Sequence, residues 1–222
     1  MPSPLDIVTA IFMGGGPPLI RDAQQRVGGM IRGAEEMLEA SLSHLLDNVP
    51  LDVDLGALDQ RVNEAEQEVR RLVLEHLAID PQRELGFSLV LVAAVQEAER
   101  LGDLAKTLAQ IAQLADRPRL GAAVTPLRSF ADRLLSMCAD TRTGFTKGDA
   151  RAARRVCTWH TEHKAFVRDY IEDLAGRSDV TPNEAVVYAL SARVMGRVSS
   201  HLSNIVSSVL VPFDQIRRTP TS

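Results

Sequence analysis

Glu97-Ala-Glu-Arg-Leu-Gly-Asp-Leu-Ala-Lys-Thr-Leu-Ala-Gln-Ile111 is written a second time, without a gap, as Ser191-Ala-Arg-Val-Met-Gly-Arg-Val-Ser-Ser-His-Leu-Ser-Asn-Ile205. Gly102 falls on Gly196, Leu101 on Met195, Leu104 on Val198, Leu108 on Leu202 and Ile111 on Ile205. The apolar skeleton has helical spacing in both copies. The charges do not survive: Glu99 is answered by Arg193 and Asp103 by Arg197. The offset, Gly102 to Gly196, far exceeds the roughly 20–50 residues of solenoid repeats. It suits a duplicated helical domain, of which one copy keeps an acidic site and the other has lost it.

Composition supports helices. Of the 222 residues, 45% are hydrophobic and only 4% aromatic, with Ala, Leu, Arg and Glu abundant. Apolar runs such as Leu89 to Val95 fall well short of the ~20 residues a membrane span needs. No basic segment precedes an apolar stretch at the N-terminus, so no secretory signal is read. Cys138 and Cys157 form no Cys-x-x-Cys pair, and reduced, buried thiols in a cytoplasmic protein are expected. The net charge of −4 is unevenly split. Residues 1–116 hold 9 Lys+Arg against 19 Asp+Glu, and residues 117–222 hold 16 against 10. The basic residues are spread along helices rather than massed, so a protein partner is favoured over nucleic acid.

Six helices follow from spacing and punctuation. The first spans about Leu19–Leu46 and stops at Asn48-Val-Pro50; the second starts at Asp54 or Leu55-Gly56 and breaks at Asp80-Pro81. The third runs from about Arg83 to Leu114. Asp116, Pro118 and Gly121 mark a joint. The fourth covers about Val124–Phe145. The fifth follows an Asp149 N-cap and runs to about Leu174. The sixth follows a capping-box spacing, Thr181-Pro-Asn-Glu184, and runs to about Leu210. The fold expected is all-α, with two tandem three-helix bundles of long antiparallel helices over 18–116 and 117–211. A flexible lead-in (1–17, with Ile7, Val8, Ile11 and Phe12 able to dock as one turn) precedes them, and a tail (212–222) follows.

Two constellations carry chemistry. Glu99 and Asp103 share a face of the third helix, off its core stripe, with Lys106 placed to screen Asp103. Asp59 and Asn63 are likewise four apart on the second helix, followed by Glu66. If the two helices lie antiparallel, Asp59, Asn63, Glu99 and Asp103 make an oxygen cage for a hard or intermediate cation; if their rotation differs, the acids form a solvated face. His160-Thr-Glu-His163 has zinc-compatible spacing, but histidines so spaced are more often half-buried at a helix edge. With Arg193 and Arg197 on the neighbouring helix, His160 and His163 read better as part of a basic groove for phosphate or an acidic partner. No phosphate-binding loop, no nucleophile elbow and no di-iron Glu-x-x-His pair occurs, so no catalytic residue is assigned.

Glu99-Arg-Leu-Gly-Asp103 resembles the Glu-Arg-x-Gly-Asp signature of the PhoU family of phosphate-signalling regulators. Asp59-Gln-Arg-Val-Asn-Glu-Ala-Glu66 is similar to the family's acidic pattern on the second helix. Asp80-Pro-Gln-Arg-Glu-Leu85 is similar to its Pro-containing turn, with Gly86 where the family has Arg. The likeness spans about residues 18–211. It implies a cytoplasmic, non-enzymatic regulator, expected to be a homodimer. Its partners would be a phosphate transporter ATPase subunit or a membrane sensor histidine kinase, with membrane association only through them. It also implies a metal (iron, zinc, nickel or magnesium, as cluster or single cation) at Asp59, Asn63, Glu99 and Asp103. The matching positions of the second copy hold Arg193 and Arg197, so its ligands are gone and a divergent paralogue is implied. The alternative is a metal-free helical adaptor docking through the basic second half.

Overall fold

The computed structural model describes residues 16–216. In that span lie six long helices: α1 (Pro18–Leu46), α2 (Leu55–Ile79), α3 (Leu85–Ala112), α4 (Thr125–Lys147), α5 (Ala150–Gly176) and α6 (Pro182–Leu210). One 3-10 turn, Phe213–Gln215, follows. The fold is all-α, with helices α1–α3 and α4–α6 as tandem triplets. The apolar segment at Ile7, Val8, Ile11 and Phe12 lies outside the described residues. Within them, no helix is long and apolar enough to cross a membrane.

The helix starts show local chemistry at work. Asp54 caps α2 by accepting from the Ala57 amide at 2.9 Å, and Asp149 caps α5 by accepting from Arg151 and Ala152. At α6 the capping box is complete: Glu184 N–H donates to Thr181 Oγ1 (3.2 Å), and Thr181 N–H donates to Glu184 Oε2 (2.8 Å). Thr181→Ala is expected to cost about 1 kcal/mol, read as a lower urea midpoint. The third helix begins two residues later than spacing predicts. Glu84 adopts the left-handed conformation (φ 57°), so the helix enters only at Leu85.

The C-terminus of α1 is closed from a distance. Arg119 Nε donates to the Leu45 carbonyl and Arg128 Nη2 to the Leu46 carbonyl, each at 2.7 Å. Cations thus satisfy carbonyls that the helix leaves unpaired, at its negative end. Asn48 holds the 115–122 joint by exchanging two hydrogen bonds with the Arg119 backbone.

The duplicated stretches form α3 and α6, which pack on each other. They run antiparallel, because Glu97 meets His201 and Asn204 while Asn183 donates to the Leu114 carbonyl. All ten paired positions except the two glycines carry buried apolar side chains, from Leu101 and Met195 at 0% exposure to Ile111 at 5%. The glycines stand where neighbouring helices cross. A Cβ on Gly196 would meet Val167 Cγ2 at 3.1 Å, and one on Gly102 would meet Asp59 Oδ1 at 3.5 Å. Buried apolar residues of both triplets form one continuous core, with α1 against α4 and α3 against α6 as the seams. Cys138 and Cys157 are buried free thiols, and burial pushes both upward in pKa, so neither is a reactive thiolate.

Candidate functional site

The seam between α2 and α3 holds the four acidic-site residues. Asp59 leans toward Gly102 on α3 and accepts from Asn63 Nδ2 at 3.4 Å. A Cβ at Gly102 would lie in ordinary van der Waals contact with Asp59 Oδ1 (3.5 Å) and Met37 Sδ (3.6 Å). Asp59 and Asp103 then meet through a third residue: Lys106 Nζ lies 2.7 Å from Asp59 Oδ2 and 3.1 Å from Asp103 Oδ1. Arg100 stands over the other side, 3.4 Å from Asp103 and 3.7 Å from Glu99. Burial raises the Glu99 carboxyl above its ordinary pKa; Asp103 adds to the rise, Arg100 opposes it, and Glu66 adds further. Lys106 loses some basicity to burial, but its hydrogen bonds to Asp59 and Asp103 outweigh this and raise it overall.

A metal cluster needs several free carboxylate oxygens converging on one point at about 2.0–2.6 Å. Here the acids converge on an ammonium, and among the described residues no three His, Cys, Asp or Glu side chains group so as to hold a metal ion. As they stand, the residues do not fit a cluster. The groove beside them, about 420 Å³, is lined by Arg100, Asp103 and Lys106 from α3 and by Arg197 from α6. Arg197, the duplicate of Asp103, therefore adds a positive charge to the same groove.

In the second triplet the structure separates the arginines from the histidines. Arg193 and Arg197 are exposed, and neither makes an ion pair among the described residues. His160 and His163 turn inward and are 8% and 4% exposed. Each presents Nδ1 to the Ser199 hydroxyl, at 3.0 and 3.1 Å. A hydroxyl has one proton, so Ser199 donates to one ring and accepts from the other. His163 Nε2 has no hydrogen-bond partner among the described residues; the arrangement is cheapest when His163 donates from Nδ1 and leaves Nε2 as a bare lone pair. Burial lowers both rings to a pKa of about 4, with Lys164 adding to the effect on His160 and Arg133 and His160 on His163. At neutral pH these two rings are uncharged and add nothing to an anion-binding face.

Ser199 beside a histidine has the residue types of a nucleophile and its base, which sequence spacing does not reveal. However, Ser199 is 0% exposed, so an acyl or phosphoryl substrate has no route to it. The pair is a buried polar tie between α5 and α6.

Sequence reading also passed over Glu97. It is 6% exposed on the α3–α6 seam, and its Oε2 accepts from His201 Nδ1 at 2.7 Å and Asn204 Nδ2 at 2.9 Å. The available signal was its spacing: Glu97 stands four residues before Leu101, on the core stripe rather than the polar face.

Residues 27–112 match the family model described as the PhoU domain. Among curated proteins, none matches the chain. Solved structures share its fold, among them the following two. PhoU from Pseudomonas aeruginosa superposes with a TM-score of 0.78 at 19% identity, covering 86% of this chain and 95% of that one. The phosphate transport system regulatory protein PhoU from Streptococcus pneumoniae does so with a TM-score of 0.74 at 16% identity, covering 86% and 93%. At these identities the likeness speaks to the fold.

Proposed function

We propose that this chain, a PhoU-family protein through residues 27–112, is a non-enzymatic regulator of phosphate uptake or phosphate-responsive signalling. It works by contact, docking in the cytoplasm on a phosphate transporter ATPase subunit or a sensor histidine kinase, as a homodimer. The observation that carries the reading is the match of residues 27–112 to the PhoU domain, with a fold over 86% of the chain like that of a phosphate transport system regulatory protein.

The outer face of α6 supports the docking reading. Val186 and Leu190 are 54% and 41% exposed. Arg193 and Arg197 follow on the same helical face, without an ion pair among the described residues. An apolar start and a cationic end suit an amphipathic, acidic helix on the partner. A metal-free adaptor is the reading favoured by Lys106, and the proposal contains no metal-dependent step.

Deleting the gene in its host and following a phosphate-starvation reporter in high phosphate tests the proposal. The reporter is expected to switch on and to be silenced again by the wild-type gene. An Arg193→Glu/Arg197→Glu gene should restore silencing poorly, with partner affinity lowered on the order of tenfold or more. A reporter unchanged by the deletion would remove the phosphate assignment. Full rescue by the double variant would remove the α6 face and leave the family-based role standing.

A further inference from the structure

We propose that Lys106 is the resident cation of the acidic seam, an ammonium held between Asp59 on α2 and Asp103 on α3, so that the first triplet is built to work without a metal. Three observations carry it. First, Lys106 Nζ contacts carboxylates from both helices, at 2.7 and 3.1 Å, and so makes the cross-link that a shared metal would make. Second, the remaining charge is already answered: Arg100 reaches both Glu99 and Asp103. Third, Arg197 enters the same groove from the other triplet, at the position where the duplicate carries an acid. A divalent ion entering here must displace one cation and lie beside two more, with Coulomb repulsion from each.

The two halves thus reach one end by different routes. The second exchanged its acids for Arg193 and Arg197, and the first kept Glu99 and Asp103 but closed them with a lysine. The position matching Lys106 is Ser200, so the lysine belongs to the half that still has acids to neutralise.

The test uses the full chain as wild type, Lys106→Met, and Lys106→Met/Asp103→Asn. Each is stripped with EDTA, dialysed against Mn²⁺ (a cation suited to carboxylate oxygens), passed over a desalting column and assayed for manganese. Wild type should retain almost none, and its thermal midpoint should be the same in EDTA and in Mn²⁺. Lys106→Met should retain about one ion per chain, and its midpoint should rise with added Mn²⁺. The added Asp103→Asn change should abolish both effects. Stoichiometric manganese in the wild type, lost on Asp103→Asn, would overturn the proposal. So would a Lys106→Met protein with full helical signal that takes up no ion. Should Lys106→Met fail to fold, Lys106→Gln replaces it, and the wild-type measurement still decides whether the ammonium excludes metal.

Discussion

Lowering the pH from 7 to 5 should strip the second triplet of stability well before the surface carboxylates titrate. His160 and His163 are held near pKa 4, below the 6.5 of a free imidazole, by burial and by nearby Lys164 and Arg133. Above pH 6.5 both rings are neutral in folded and unfolded chains, and their contribution is complete. Between pH 6.5 and 4 the unfolded chain takes up protons that the folded chain refuses, so stability falls. Below pH 4 the folded rings protonate as well and the loss levels off. Each ring accounts for about 2–3 kcal/mol over that window, and the pair for a slope of at most about 2.7 kcal/mol per pH unit. Urea midpoints at closely spaced pH values should follow this curve. The two rings share one hydroxyl, so they titrate as a unit, and the curve belongs to the pair. A His160→Gln/His163→Gln protein should be less stable at pH 7 but much flatter between pH 6.5 and 5. The same slope in wild type and double variant would show that other groups set the acid response.

How much of this was legible in the sequence depended on distance along the chain. Helix limits rest on neighbours a few residues apart, and the caps at Asp149 and Thr181 and the stops at Asn48-Val-Pro50 and Asp80-Pro81 mark them within a few residues. The Glu84 turn shifted one start because a left-handed residue leaves little trace in composition. The repeat located the paired core helices, since burial preserves the apolar stripe at Leu101/Met195 through Ile111/Ile205. Side-chain partners across helices were less legible. Spacing of 3.6 residues fixes which residues share a face, but not how far one helix is rotated against the next. Lys106 was readable as a screen for Asp103, three residues away; its tighter contact, to Asp59 on another helix, was not. For the same reason His160 and His163 read as half-buried at a helix edge and as part of a basic groove. Their inward rotation depends on Ser199, whose counterpart in the first copy is Ala105.

Glu97→Ala should be among the most damaging single changes in the chain, lowering stability by about 3 kcal/mol. Its carboxylate takes hydrogen bonds from His201 and Asn204 across the α3–α6 seam, where it is 6% exposed. Truncation strands two half-buried donors and removes a buried side chain, and each effect costs separately. Glu97→Gln keeps an acceptor but loses the charge, so its cost should be about half as large. A double-mutant cycle with His201→Ala isolates the contact: coupling of about 1 kcal/mol or more is expected for a charge-assisted bond with this burial. A Glu97→Ala midpoint close to wild type would mean that the seam relaxes around the loss. The seam also bears on how the molecule unfolds. Because the buried apolar residues form one continuous cluster, wild type should unfold in a single transition. Glu97 is the charged tie between the duplicated helices, so Glu97→Ala is the change most apt to split that transition. Below pH 6.5 the first triplet would then keep its helical signal to higher urea than the second, where the two buried imidazoles resist protonation.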